Sequence, residues 1–184
     1  MRRLLAASMT LALLTGAGCA ASMSVSSHVD RSLDFGRYRT YDWGPADALP
    51  TGDVRLDANP VFADNVHGTV DRELAGRGLT MVDATATPDL LIHYHATVAE
   101  RMDINEVDRT YGYCQGTDCP PDVIEYEAGM LVIDLMDART NRLVWRGWAQ
   151  TRLNAFLHDP EAMLETVQRA VATMVRQLPA SLGK

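Results

Sequence analysis

Alternation of apolar and polar residues along residues 90–98 is the feature that most constrains the fold of this chain. A period of two places five apolar residues on one face of a strand: Leu90, Ile92, Tyr94, Ala96 and Val98. The opposite face would carry His93 and His95 with Leu91 and Thr97. A strand that is apolar on one face needs neighbouring strands and a covering layer, so the segment predicts a sheet that packs against other elements.

A β-hairpin is predicted for residues 129–153. Three apolar residues alternate along its first strand: Leu131, Ile133 and Leu135. Residues 137–142 (DARTNR) supply the turn, in which Asn141 can take the left-handed conformation. A three-residue loop at 139–141 would place three pairs of residues opposite each other: Asp134 with Arg146, Val132 with Trp148, and Leu135 with Trp145.

Two amphipathic helices are also predicted. The first begins at Pro60, is capped by Asn59, and ends at Gly76 or Gly78 in a left-handed conformation. Its apolar residues recur every four positions: Phe62, Val66, Val70 and Leu74.

The second helix begins at residues 159–161 (DPE) and stops before Pro179. Its apolar stripe has helical spacing and consists of Met163, Leu164, Val167, Ala170, Val171, Met174, Val175 and Leu178. A strand is predicted for residues 38–43 (YRTYDW), and a short strand for residues 79–82. The polar segment at 100–127 is predicted to be a surface excursion. The predicted fold is therefore α+β, a single domain with an antiparallel β-sheet and two amphipathic helices packed on one face.

The N-terminus has the pattern of an export signal. Arg2 and Arg3 precede an 11-residue apolar stretch at 4–14, and small residues lead to Cys19. We expect a lipoprotein signal peptide at 1–18, a lipidated Cys and flexible tether at 19–27, and the domain at 28–184. Because the place three residues before the cysteine holds Gly instead of the usual Leu, ordinary signal cleavage after Ala20 or Ala21 is the alternative.

Lipidation would anchor the domain to a membrane without a transmembrane helix. Cys19 would carry diacylglycerol and an acyl chain such as palmitate, and no segment approaches the roughly 20 apolar residues that a bilayer-spanning helix needs. The N-terminus resembles those of Gram-negative lipoproteins, in which the residue after the acylated cysteine influences sorting. Ala20 is not the Asp that retains such proteins at the inner membrane, so the resemblance implies the periplasmic face of the outer membrane. A soluble periplasmic protein is the alternative.

The charge of the chain disfavours a nucleic-acid partner. The full sequence carries a net charge of −7, and loss of Arg2 and Arg3 would leave 24 acidic and 15 basic residues, about −9. A phosphate backbone attracts cations, and so does an anionic lipid surface. The composition is otherwise that of an ordinary globular domain, with 47% hydrophobic residues.

Cys114 and Cys119 are the two cysteines that remain after Cys19. In an oxidising periplasm we expect them to form a disulfide. A reactive redox pair and a metal site are the alternatives, although a C-x4-C spacing alone does not supply enough metal ligands.

His93 and His95 are the candidate ligands of a metal ion, because imidazoles two residues apart on a strand project the same way. The sequence brings no third ligand near them, so a solvated or partner-covered sheet face is the plainer interpretation. Trp145 and Trp148 fall on opposite faces of one strand; we expect Trp145 in the core and Trp148 with the two histidines on a possible binding surface.

The sequence contains no nucleophile elbow, Walker loop, dinucleotide fingerprint or H-E-x-x-H pair. We therefore expect no enzyme, no catalytic residues and no cofactor apart from the lipid on Cys19. The main prediction is a non-catalytic envelope protein that binds or organises a protein or cell-wall partner. The alternative is a small-ligand or metal-binding periplasmic module that uses the His93 and His95 face.

Four segments together resemble the bacterial lipoprotein family of the domain of unknown function DUF4136. They are residues 34–43 (DFGRYRTYDW), 88–95 (PDLLIHYH), 129–138 (GMLVIDLMDA) and 141–149 (NRLVWRGWA). The resemblance implies an envelope lipoprotein with an α+β fold. It implies no activity, substrate or catalytic residue.

Overall fold

The computed structural model describes residues 23–45, 52–83, 85–104, 123–153 and 159–184. These residues form six strands: β1 (Ser24–Val29), β2 (Thr40–Trp43), β3 (Thr80–Met81), β4 (Leu90–Ile104), β5 (Val123–Asp137) and β6 (Arg142–Arg152). They also form three α-helices, α1 (Val54–Asp57), α2 (Pro60–Ala75) and α3 (Pro160–Val175), and a short 3-10 helix at Phe35–Arg37. The α+β prediction is confirmed.

The six strands form one sheet in the order β1-β6-β5-β4-β2-β3. Strands β1, β6, β5 and β4 pair antiparallel, whereas β2 is parallel to both β4 and β3. The sheet is therefore mostly antiparallel, as predicted, and the edge formed by β2 and β3 is parallel. The chain leaves β2, passes through α1 and α2, and returns in the same direction, and such a crossover produces parallel neighbours.

The predicted hairpin forms between β5 and β6. All three expected pairs are present: Asp134 opposite Arg146, Val132 opposite Trp148, and Leu135 opposite Trp145. The turn, however, contains four residues, 138–141, because Asp137 pairs with Arg142. A bulge beyond Leu135 compensates for the extra turn residue and restores the predicted register. Asn141 has a φ of 53°, in the left-handed region.

Both predicted helices form, Asn59 caps the first as predicted, and Asp159 caps the second. The Asn59 side chain accepts a hydrogen bond from the Phe62 N–H at 3.1 Å, and the Asp159 side chain accepts two from the first turn of α3. The left-handed residue after α2 is Gly78, with a φ of 90°. Leu164, which was predicted to be part of the apolar stripe of α3, is 36% exposed and is therefore not part of its buried face.

Two predicted boundaries are corrected by the strands. Residues 24–27 were expected in the flexible tether but belong to β1, because alternate residues contact the core while the backbone pairs with β6. The excursion predicted at 100–127 begins later and ends earlier, because β4 and β5 stay paired as far as Ile104 and Val123. The one-turn helix α1 was not predicted.

One hydrophobic core lies between the sheet and the helices. It contains the inward residues of β4, β5 and β6 together with the apolar faces of α2 and α3. Trp145 is 1% exposed, as expected for a core residue. None of the described helices is long and apolar enough to cross a membrane.

Candidate functional site

The side of the sheet that faces away from α2 and α3 is the candidate functional site, and we call it the open face. Strand alternation assigns to it the residues on the opposite side from the core: Ser26, His28, Leu91, His93, His95, Val132, Asp134, Met136, Arg146 and Trp148. In the described part of the chain, no helix covers it. All three residues of the predicted binding surface, His93, His95 and Trp148, are on this face.

A row of four paired residues crosses the open face: Ser26, Trp148, Val132 and His95. Trp148, Val132 and His95 are each partly exposed. Trp148 and His95 are two strand spacings apart, about 10 Å. An indole, a branched aliphatic side chain and an imidazole therefore form a continuous strip that is apolar at its centre.

The neighbouring row contains His28, Arg146, Asp134 and His93. Arg146 donates to both carboxylate oxygens of Asp134, from Nε and from one terminal nitrogen, each at 2.6 Å. Asp134 is 2% exposed, and its hydrogen bonds raise the pKa of Arg146. The two charges satisfy each other in a bidentate pair, so the centre of the open face presents little free charge.

The His93 ring lies against the backbone of Gly44, the residue that follows β2. A Cβ added at Gly44 would overlap its imidazole ring, and the Gly44 N–H donates to the Ile92 carbonyl at 2.8 Å. Gly44 therefore provides the space in which the ring lies. His93 and His95 both lie on β4, and β2 is paired with β4 only up to Ile92, so β5 is the paired neighbour of His95.

The described part of the chain contains no group of three or more His, Cys, Asp or Glu residues that could hold a metal ion. Within those residues, His93 and His95 therefore have no third metal ligand. Of the other histidines, His28 lies across the sheet on β1, and His67 is on α2. Cys19, Cys114, Cys119 and His158 lie outside the described residues, so the lipidation, the disulfide and residues 105–122 of the excursion stay predictions.

A second polar cluster, which sequence reasoning missed, lies between β2 and α2. Asp71 accepts hydrogen bonds from the Tyr41 hydroxyl at 3.0 Å and from the Trp43 Nε1 at 3.1 Å. The His67 ring stacks on Trp43 with 3.9 Å between centroids. Burial lowers the pKa of His67, and burial together with the bond to Asp71 raises the pKa of Tyr41. These contacts attach α2 to the sheet.

A third cluster, also missed, surrounds Asp137 at the end of β5. Its carboxylate accepts from the Tyr38 hydroxyl at 2.9 Å and from the backbone N–H groups of Arg139 at 3.1 Å and Thr140 at 2.9 Å, and it pairs with Arg37. Burial alone would raise the pKa of Asp137, but these donors outweigh it and lower the pKa to about 2. The cluster holds the hairpin turn against the segment before β2.

Comparison with known proteins supports the fold. The family model of the domain of unknown function DUF4136 matches residues 25–180. No curated protein matches the sequence. The solved structure of a DUF4136 family protein from Bacteroides thetaiotaomicron is similar with a TM-score of 0.54 at 12% identity, over 88% of this chain and 98% of that one.

Two other solved structures share the fold with a TM-score of 0.50. A PelC dodecamer from Paraburkholderia phytofirmans is 10% identical, and the match covers 89% of this chain and all of that one. A PDZ domain protein from Parabacteroides distasonis is 17% identical, over 86% of this chain but 35% of that one, so this chain spans about a third of that protein.

Proposed function

The chain belongs to the DUF4136 family, whose model covers residues 25–180, and from that premise we propose that it is a non-catalytic envelope lipoprotein that binds a partner through the open face. The observation that carries the proposal is the partly exposed strip of Trp148, Val132 and His95 on the side of the sheet that the described helices leave uncovered. Contiguous apolar surface of this kind is typical of interaction sites.

The chemistry of the open face suits a protein partner. Trp148 offers a large, rigid contact area with a hydrogen-bond donor at its edge, and tryptophan is enriched in interface centres. Arg146 and Asp134 already neutralise each other, so a partner would not have to desolvate an isolated charge. A second copy of the chain is one candidate, because PelC, which shares the fold, was solved as a dodecamer.

The proposed anchor would place the domain near the membrane surface. A lipid on Cys19 would leave four residues before β1 begins at Ser24. Since each residue spans at most about 3.6 Å, the first strand would start within roughly 20 Å of the membrane surface. The domain would be confined to the envelope and present the open face to other envelope proteins.

The anchor is tested by the intact mass of the protein extracted from membranes of its native host. We expect a chain that begins at Cys19 and carries diacylglycerol and acyl groups, and we expect the Cys19→Ala variant to lack that mass. The same sample alkylated with and without reductant should show two reductant-dependent thiols at Cys114 and Cys119. A chain that starts unmodified after Ala20 or Ala21 would contradict the anchor and favour a soluble periplasmic protein.

The open face is tested by photo-crosslinking in intact cells. A photoreactive side chain replacing His95 or Trp148 should form an adduct of one and the same mass from both positions. The matched control is Val61, which is 49% exposed on α2, on the helix-covered side of the sheet. The mass of the adduct separates a second copy of the chain from an unrelated envelope protein.

Different adducts at the two open-face positions, or the same adduct at Val61, would contradict a defined interface. The metal alternative makes the opposite prediction for the His93→Ala/His95→Ala double variant. Loss of partner capture with unchanged metal content of the purified protein supports the interface, whereas loss of bound metal with unchanged capture supports the metal module.

A further inference from the structure

A cleft opens between the segment that links β1 to β2 and the residues that follow α3. Its volume is about 370 Å3, within the range of about 300–1,000 Å3 that small-molecule sites occupy. Four apolar and two polar residues line it: Val29, Leu33, Phe35, Pro179, Arg31 and Gln177. Phe35 is buried, and Val29 and Leu33 pack against the core. The cleft therefore combines an apolar wall with two polar side chains.

Arg31 is the charged residue among those that line the cleft. Its side chain makes no hydrogen bond or ion pair with any residue that the structure describes. The acids on either side of it in the sequence have other partners. Asp30 accepts from the Arg142 guanidinium at 2.9 Å, and Asp34 accepts from the Gly36 N–H at 2.9 Å. The Arg31 guanidinium therefore keeps its charge and its donors available to a ligand, in a chain whose net charge is −7.

Gln177 brings a second set of hydrogen-bonding groups to the same cleft. Its backbone N–H donates to the Met174 carbonyl at 2.9 Å, which fixes its position just after α3. Its side-chain amide, like the Arg31 guanidinium, makes no hydrogen bond within the described part of the chain. A guanidinium and an amide can therefore both donate to one ligand group beside an apolar wall.

These features select a ligand with one negative charge and an apolar body. A guanidinium presents two parallel N–H donors that match the two oxygens of a carboxylate. A ligand with two negative charges would leave one of them without a partner beside the apolar wall, which costs free energy. The wall itself favours a ligand whose apolar surface it can remove from water.

We propose that this cleft binds a small, free monocarboxylic acid with an apolar body. The Arg31 guanidinium binds the carboxylate, the Gln177 amide donates a further hydrogen bond to it, and the apolar body packs against Leu33 and Phe35. The occupant is a free acid and not the C-terminus of a peptide. A peptide would bring successive N–H and C=O groups against a wall whose other side chains are apolar, and those groups would lose their hydrogen bonds to water.

The test measures binding of phenylbutyrate to the full chain carrying Cys19→Ala, so that no attached lipid competes for the apolar wall. We expect calorimetry to show saturable binding of one phenylbutyrate per protein. Acetate lacks the apolar body and the neutral phenylbutyramide lacks the charge, so each should bind about tenfold more weakly or worse. Nuclear Overhauser effects between the phenyl ring and the Leu33 methyl groups would locate the probe in the cleft.

Arg31→Gln removes the charge at an exposed position and keeps a polar side chain there. It should weaken phenylbutyrate binding by about tenfold or more. Arg176→Gln is the matched control, because it removes the same charge from an exposed residue next to Gln177 but outside the cleft. Salt screens a charge at that distance, so the control should bind within about twofold of the parent chain.

Four results would overturn the site: no saturable binding, equal binding of phenylbutyrate and phenylbutyramide, equal loss in the two arginine variants, or ring contacts to methyl groups outside the cleft. The comparison of acid with amide uses neither arginine variant, so it decides the test even if Arg31→Gln does not fold. A tripeptide that ends in phenylalanine and binds about tenfold more tightly than phenylbutyrate would overturn the free acid as the occupant. None of these outcomes depends on the anchor or on a partner at the open face.

Discussion

Gly147→Val is expected to lower the free energy of unfolding by about 3 kcal/mol, the upper end of the range for overpacking a core. Valine favours strands, so local propensity alone would predict a gain. The structure instead predicts a loss of stability, because a Cβ at position 147 would overlap the six-membered ring of Trp145. Trp145 is 1% exposed and surrounded by the core. Urea denaturation of the full chain at pH 7 measures the change.

Gly68→Ala is the matched control for this prediction. A Cβ at Gly68 would meet no heavy atom within 4 Å, and the residue lies inside α2. Alanine should therefore stabilise the protein by about 0.5–1 kcal/mol through helix propensity. A Gly147→Val protein as stable as the wild type would show that the Trp145 ring can move and that the core is less closely packed than its burial indicates.

Trp145→Phe should recover part of the loss in the Gly147→Val background. Its Nε1 is buried and has no hydrogen-bond partner in the described part of the chain, so the substitution sacrifices contacts but no hydrogen bond. If the two substitutions together lower the free energy of unfolding by less than the sum of their separate effects, the double-mutant cycle would identify the Trp145 ring as the group that the valine displaces.

The fold was predictable where a local pattern determined it. The alternation from Leu90 to Val98 and the apolar stripe of α2 each left one favourable face, and the structure confirms both. The hairpin register was also predictable, because only one alignment pairs Asp134 with Arg146. The parallel pairing of β2 was not, since it depends on where the chain returns after α2 and no residue within β2 records that path.

The sequence predicted which residues share the open face of the sheet, but not the polar clusters elsewhere in the structure. Period-two alternation placed His93 and His95 together, and the hairpin register placed Trp148 near them. The contacts of Asp71 with Tyr41 and of Asp137 with Tyr38 could not be foreseen, because residues 30 and 99 positions apart meet through tertiary packing alone. The residues around Asp71 and Asp137 carry no sequence signal that distinguishes a buried hydrogen-bond acceptor from a solvated one.

Asp137→Ala is expected to lower the free energy of unfolding by about 3 kcal/mol, near the lower end for removal of one partner from a buried charge pair, because Arg37 remains partly hydrated. The substitution would leave the buried Tyr38 hydroxyl and the N–H groups of Arg139 and Thr140 without their acceptor. Urea denaturation at pH 7 gives the change, and Glu165→Gln is the control, because that exposed carboxylate makes only a 3.9 Å surface contact with Arg169.

The pH dependence of stability tests the same carboxylate without disrupting its shape. The pKa of Asp137 is about 2 in the folded protein and about 3.9 in an unfolded chain, so its ionised form contributes roughly 2 to 3 kcal/mol of stability at pH values well above 3.9. That contribution is lost as the pH falls from about 5 through 2. Stability of the wild type should therefore decrease more steeply over this interval than that of Asp137→Asn. Parallel pH curves for the two proteins would mean that the carboxylate is not held in its ionised form by the Tyr38 hydroxyl and the turn N–H groups, and the attachment of the hairpin turn to the segment before β2 would then depend on packing alone.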